Sequence, residues 1–226
     1  MKARALAIVA AALFAVGTAS ADEPKDQWNV GGDLGARWTV IRSAGFGPFS
    51  SDDLFSQLDL DAWVVLARKG PISIAGLAGY AFGQSDAKAR GMSASLTVHR
   101  LSLGGEARFD LGPLVQPFVR IAPSAVHVRA ELDDSGAPSP LRRRTWTWGG
   151  DLTAGARVAV VRFGDPVWPS ARIWAVGDVG WSFAGEVDMK LAPQTSPDDP
   201  RTFDETTLPP LRPGGFLVRV GAGVSF

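Results

Sequence analysis

From residue 28 to the end of the sequence, apolar and polar residues alternate with period two, the spacing of strands whose two faces meet different surroundings. In "WNVGGDLGARWTV", Trp28, Val30, Leu34, Ala36, Trp38 and Val40 share one face, and Asn29, Asp33, Arg37 and Thr39 share the other. The pattern returns in residues 58–66, 72–82, 101–109, 117–132, 146–160, 171–183 and 216–226, which predicts eight strands. The fifth segment, "PFVRIAPSAVHVRAEL", is the least regular, and Pro123 is expected to mark a bulge or bend there. Helical periodicity is almost missing.

The connections alternate in length. After the second, fourth and sixth strands they are short ("RKGP", "DLGPLVQP", "RFGDPVWPS"). After the first, third, fifth and seventh they are longer and more polar, around 42–54, 84–93, 132–145 and 185–213. The last of these carries Pro193, Pro197, Pro200, Pro209, Pro210 and Pro213 and is expected to be largely irregular.

The composition of each face says which one is wet. A soluble barrel carries its apolar residues inside. Here the polar faces set Asp33, Asp59, Asp61, Glu106, Asp151 and Asp178 against Arg37, Arg108, Arg120, Arg157, Arg172 and Arg219. Equal numbers of each sign suit a closed interior, where an unpaired charge is costly. A solvated exterior would use more Lys and Glu. If Arg37 lies across from Asp59, and Glu106 across from Arg120, ion pairs cross-link the interior.

The aromatic residues fit an apolar face turned to lipid. Trp28 and Trp38 lie ten residues apart on that face, as do Phe216 and Phe226. At about 3.3 Å per residue and a tilt of about 40°, ten residues climb roughly 25 Å, the height of the band between two aromatic girdles. Tyr80, Phe82, Trp146, Trp148, Trp181 and Phe183 fall at the long-loop end, and Phe109 at the short-turn end. The fold class that follows is all-β: a closed antiparallel up-and-down transmembrane β-barrel of eight strands.

Residues 1–21 read as a cleaved signal peptide: Lys2 and Arg4, then "ALAIVAAALFAVG", then the small-residue ending "TASA". Residues 22–226 form the barrel domain. Removing the signal takes Lys2 and Arg4 and no acid, so 23 bases against 23 acids become 21 against 23, a net of −2. That balance gives no general attraction to nucleic acid. With no cysteine, neither a disulfide framework nor a thiolate site is available.

The signal, the eight long strands, the short turns on one side and long loops on the other, and the terminal Phe of an alternating strand resemble the small outer-membrane β-barrel family of Gram-negative bacteria. The resemblance spans the whole mature chain as a pattern. It implies that Val218, Val220, Val224 and Phe226 form the signal read by the barrel-assembly machinery. It further implies outer-membrane lipids and lipopolysaccharide as surroundings, and a monomer.

An eight-stranded barrel is just wide enough to be filled by side chains. The leading expectation is therefore an envelope-anchoring barrel with outward loops and a plugged interior. The alternative is a narrow porin-like channel for ions or small solutes, with water in gaps left by Gly31, Gly35, Gly149, Gly155, Gly221 and Gly223. A lipid-modifying enzyme of similar architecture would need a Ser–His pair, yet His99 and Ser102 fall on opposite faces and "VHVRAE" around His127 has no serine. No enzyme activity, cofactor or metal is expected. Arg142, Arg143 and Arg144 are candidates for lipopolysaccharide phosphates. Asp198, Asp199, Asp204 and Glu205 could pair with them or hold calcium, without ligand spacing to support it.

Overall fold

The computed structural model describes residues 29–89, 91–111, 114–134, 140–162, 171–193 and 205–226. The signal peptide and Trp28 lie outside them. Among the described residues ten strands follow in chain order: β1 Val30–Val40, β2 Leu54–Lys69, β3 Ile72–Ala89, β4 Met92–Phe109, β5 Val115–Asp134, β6 Leu141–Arg162, β7 Arg172–Ala184, β8 Val187–Pro193, β9 Thr206–Leu211 and β10 Gly215–Ser225.

Eight of them close a ring. Strands β1 to β7 pair in sequence order, β7 pairs with β10, and β10 returns to β1, from Gly31↔Ser225 to Val40↔Phe216. Closure removes the free strand edges, the condition for a sheet to cross a membrane. The faces are inverted relative to a soluble barrel. Leu34, Leu58, Leu60, Leu101, Leu103, Ile121, Leu152, Val179 and Val220 are exposed on the outside, while arginines and carboxylates are buried inside.

At the long-loop end, several strands rise well beyond the expected limits. Residues 84–93, expected as a loop, continue β3 and β4 into a hairpin whose tight turn uses Gly91 at φ 83°. Pro123 does not shift the phase of β5. The register to β6 is constant from Val115↔Val158 to Leu132↔Leu141, with Pro123 opposite Gly150. The ladder to β4 lapses between Ser102↔Ser124 and Gly105↔Ile121, then resumes in the same register. A missing N–H donor accounts for that lapse. Among the described pairings, register shifts lie elsewhere: at Val65/Ala67 and Ala159/Val161 near the short turns, and at Val187/Met189 in the β8–β9 pair.

Residues 185–213 also depart from expectation. β8 and β9 form a hairpin tied to β6 through Leu141↔Pro193 and Arg142↔Ala192. Alternation explains it: Val187, Met189 and Leu191 point one way and are all buried. They join Ile41, Phe46, Phe49, Phe55, Leu96, Val98, Val126, Val128, Leu132 and Leu211 in one apolar core inside the projecting walls. Phe46 stacks edge-on against Phe55 with ring centres 5.9 Å apart. The barrel therefore carries an apolar cap above a charged lumen.

Candidate functional site

The lumen is built by inward positions of β1 to β7 and β10, and it holds all twelve charged residues singled out from the sequence in buried positions. Glu106 on β4 is the hub. It accepts from Arg108 Nε at 2.6 Å, from Arg120 Nη2 at 2.8 Å and from Arg157 Nη1. Glu106 and Arg120 are register partners, as expected. Arg157 also donates to Asp33 at 2.7 Å, and Arg120 to Asp61 at 2.5 Å. Arg219 continues the chain to Asp61, to Asp178 at 2.5 Å and to Asp59 at 3.5 Å.

A second cluster lies nearer the cap. Arg37 is not opposite Asp59: its register partner is Gln57, and Asp59 faces Gly35. Its guanidinium instead crosses the lumen to grip Asp151 through two bonds of 2.6 and 2.8 Å. Arg100 reaches the same carboxylate at 3.3 Å and the Pro213 carbonyl at 3.2 Å. Arg100 is absent from the charges expected from the sequence, because the regular alternation of the fourth segment begins at Leu101, whereas β4 begins at Met92. Its signal was present: Arg100 shares a face with Ser102, Glu106 and Arg108. With it, seven buried arginines (Arg37, Arg100, Arg108, Arg120, Arg157, Arg172, Arg219) meet six buried carboxylates.

Aromatic rings floor the network. Arg108 lies 3.7 Å from the centre of the Trp63 ring, Arg157 4.7 Å from Phe118, and Arg172 5.0 Å from Trp174. Such stacking suits guanidinium, which is weakly hydrated and planar.

Little space is left. The cavity bounded by Arg37, Asp59, Asp61, Arg100, Arg120, Asp151, Asp178 and Arg219 measures about 20 Å³, room for about one water. The inner glycines mark close approach rather than gaps. A Cβ on Gly31 would sit 2.3 Å from the Trp63 ring, and one on Gly223 would sit 2.1 Å from the Asp33 carboxylate.

On the outer wall, Tyr80, Phe82, Phe109, Trp146, Trp148, Trp181, Phe183 and Phe216 are exposed, and Trp38 is half-buried beside them. Trp181 and Phe216 stack edge-on at 5.4 Å. Val220 and Phe226 are exposed on the outer side of β10, and the Phe226 N–H donates to the Val30 carbonyl at 2.9 Å. His99 also faces outward, 2.8 Å from the Tyr80 hydroxyl through Nδ1, and packs near His127; Ser102 points inward. No Ser–His pair is assembled among the described residues. Above the girdle, Glu131 accepts from Arg129 at 3.1 Å and Arg142 at 3.0 Å. Burial would push the Glu131 carboxyl up, but those hydrogen bonds hold it below the usual range. Asp198, Asp199 and Asp204 lie outside the described residues.

Ring closure, an apolar outer belt and a salt-bridged interior define a transmembrane β-barrel with a filled lumen. No family model and no curated protein matches the sequence. Among solved structures the chain is similar to the outer membrane protease OmpT from Escherichia coli, with a TM-score of 0.50 at 10% identity, over 93% of this chain and 100% of that one. It is also similar to Ail, the attachment invasion locus protein of Yersinia pestis (TM-score 0.45, 12% identity, 88% of this chain and 99% of that one). Neisserial surface protein A scores 0.41 at 16% identity, over 88% and 95% of the two chains. At these identities the likeness is one of fold.

Proposed function

We propose that the protein is an integral outer-membrane barrel of a Gram-negative envelope that anchors and stabilises rather than conducts. The observation that carries this is the filled lumen: two ion-pair clusters with about 20 Å³ between them, roofed by an apolar core. A conducting pore needs a continuous wet path, and here both the charged layer and the cap interrupt one. The support for the membrane setting is the outward apolar belt with its aromatic border. The folds of the neighbours named above agree with it. On this reading the chain works as a monomer among outer-membrane lipids and lipopolysaccharide, inserted by the barrel-assembly machinery, without enzymatic activity. The projecting cap is the part offered to the outside.

Planar-bilayer recording of the refolded barrel tests the proposal. The expected trace is closed, with at most brief openings. Large, steady conductance that changes in Arg37→Gln or Arg120→Gln would establish the narrow channel instead.

A further inference from the structure

A cavity of about 740 Å³ opens on the flank of the barrel, at the border between the girdle and the cap. Its size falls within the range of small-molecule sites, roughly 300–1,000 Å³. The inner wall is apolar: Val40 at the top of β1, Phe216 at the start of β10 and Trp181 on β7. All three lie on the outer face, and Trp181 and Phe216 belong to the aromatic border. The roof is polar and formed by two chain segments, Arg42–Ala44 and Pro210–Gly214. Ser43 Oγ donates to the Pro210 carbonyl at 2.9 Å, and the Arg212 N–H donates to Ser43 Oγ at 3.2 Å. The backbone at Gly45 comes so close that a Cβ there would sit 2.5 Å from the Pro209 carbonyl. These clamps make the cavity preformed.

Charge at the mouth is uneven. Arg212 is paired with Glu186 at 2.5 Å, both largely exposed. Arg42 is exposed and makes no ion pair or hydrogen bond with any described residue. Among the described lining residues the rim therefore carries one cation in excess, beside an aromatic wall at membrane level. A guanidinium suits a phosphate oxygen pair, and Trp and Phe suit the region where headgroup meets chain.

We propose that this cavity holds one lipid of the surrounding leaflet with a net-anionic phosphate headgroup, its phosphate on Arg42 and its uppermost chain segment against Trp181 and Phe216. The inference rests on the membrane reading given above. A soluble phosphate would leave the apolar floor uncovered, and a zwitterionic headgroup would bring no net charge to the excess cation.

The test uses the full barrel refolded into nanodiscs of phosphatidylcholine with a minor share of phosphatidylglycerol, then released into mild detergent for native mass spectrometry. The expected result is one retained lipid, enriched in phosphatidylglycerol over the disc composition. Arg42→Gln lowers that enrichment about tenfold, the effect of losing one charge-assisted hydrogen bond. Lys88→Gln, an exposed lysine on β3 outside the cavity lining, leaves it unchanged. Trp181→Leu, which keeps the charge, weakens retention of both lipids alike. Equal retention of the two lipids by the native barrel overturns the proposal, and so does an Arg42→Gln barrel that keeps its preference. Displacement by millimolar inorganic phosphate alone also overturns it, since the site would then serve a free anion. A chain that never enters the disc and stays dissolved without detergent overturns the membrane reading as well, which separates the two failures.

Discussion

The lower and upper halves of β5 obey opposite rules on one unbroken strand. In the lower half Val119 and Ile121 face out while Arg120 and Ala122 face in; in the upper half Arg129 and Glu131 face out while Val126, Val128 and Ala130 face in. The strand does not bend or slip between them. What changes is the solvent outside: hydrocarbon below the aromatic border, water above it. The lower half resembles a membrane barrel filled with ion pairs, and the upper half a soluble barrel filled with aliphatic side chains. Neighbouring strands follow the same switch, with Glu106 and Arg108 inside β4 below and Leu96 and Val98 inside it above.

The most damaging way to probe the lower region is at its hub. Glu106→Gln removes the carboxylate that Arg108, Arg120 and Arg157 share. Breaking a buried pair by removing one partner costs about 3–5 kcal/mol. Urea unfolding of the refolded barrel in lipid should show a loss of that size, together with weaker heat-modifiable migration on a gel. A loss below about 1 kcal/mol would mean that the arginines are hydrated and the lumen is wet.

The cap should fail separately. Leu191→Ala empties a fully buried position in the upper core, at a cost of about 2–5 kcal/mol. Because β8 and β9 lie outside the eight-stranded ring, the loss should appear as faster proteolysis within 187–211 while the barrel keeps its gel migration. If cap and barrel melt as one unit, the division into two regions fails.

The outer face of β5 gives a direct comparison. Ile121→Arg, in the lower half, should cost about 2–4 kcal/mol, the penalty for arginine facing lipid at mid-depth. Arg129→Leu, higher on the same outer face of β5, should lie within about 0.5 kcal/mol of the native chain. Similar costs at both sites would put the border in the wrong place.

Much of the lower region was legible in the sequence because its rule is uniform. In β1, β2, β6, β7 and β10, residues 30–66, 146–160, 172–183 and 216–225 set charges on the inner face against aliphatics on the outer face, so most lumen residues are legible one by one. The upper region was hidden by its own inversion. Around Pro123 the polar-inside pattern loses its phase in the sequence, because Val126 and Val128 stand on the face that carries Arg120. The same inversion hides "SASLTVH" and Arg100 as parts of the fourth strand. In residues 185–213 the prolines masked Val187, Met189 and Leu191, whose burial depends on walls contributed by β4 and β5. Partners across the lumen could not be read at all. Arg37 and Asp151 are 114 positions apart, and their pairing follows from barrel closure rather than from any local spacing.

The smallest effect tests whether the outer surface of the cap is ordered by its charges. Glu131 links Arg129 on its own strand to Arg142 on β6, at 3.1 and 3.0 Å. Its carboxyl is held below the ordinary range, so the folded state favours the ionised form. The sign follows: the link stabilises at pH above the unfolded value of about 4.3, and that contribution is lost as pH falls through the lower folded value. Both partners are partly exposed, so the effect is a fraction of what a buried pair gives. Hydrogen-exchange protection beside Glu131 on β5 and Arg142 on β6, relative to the intrinsic rate at each pH, should therefore fall slightly below about pH 4 in the native chain. In Glu131→Gln that protection should already be lower at pH 7 and show no further change. If the variant kept the acid-induced step, the titrating group would be another carboxylate. The cap would then owe its order to the apolar core beneath rather than to the charges on its skin.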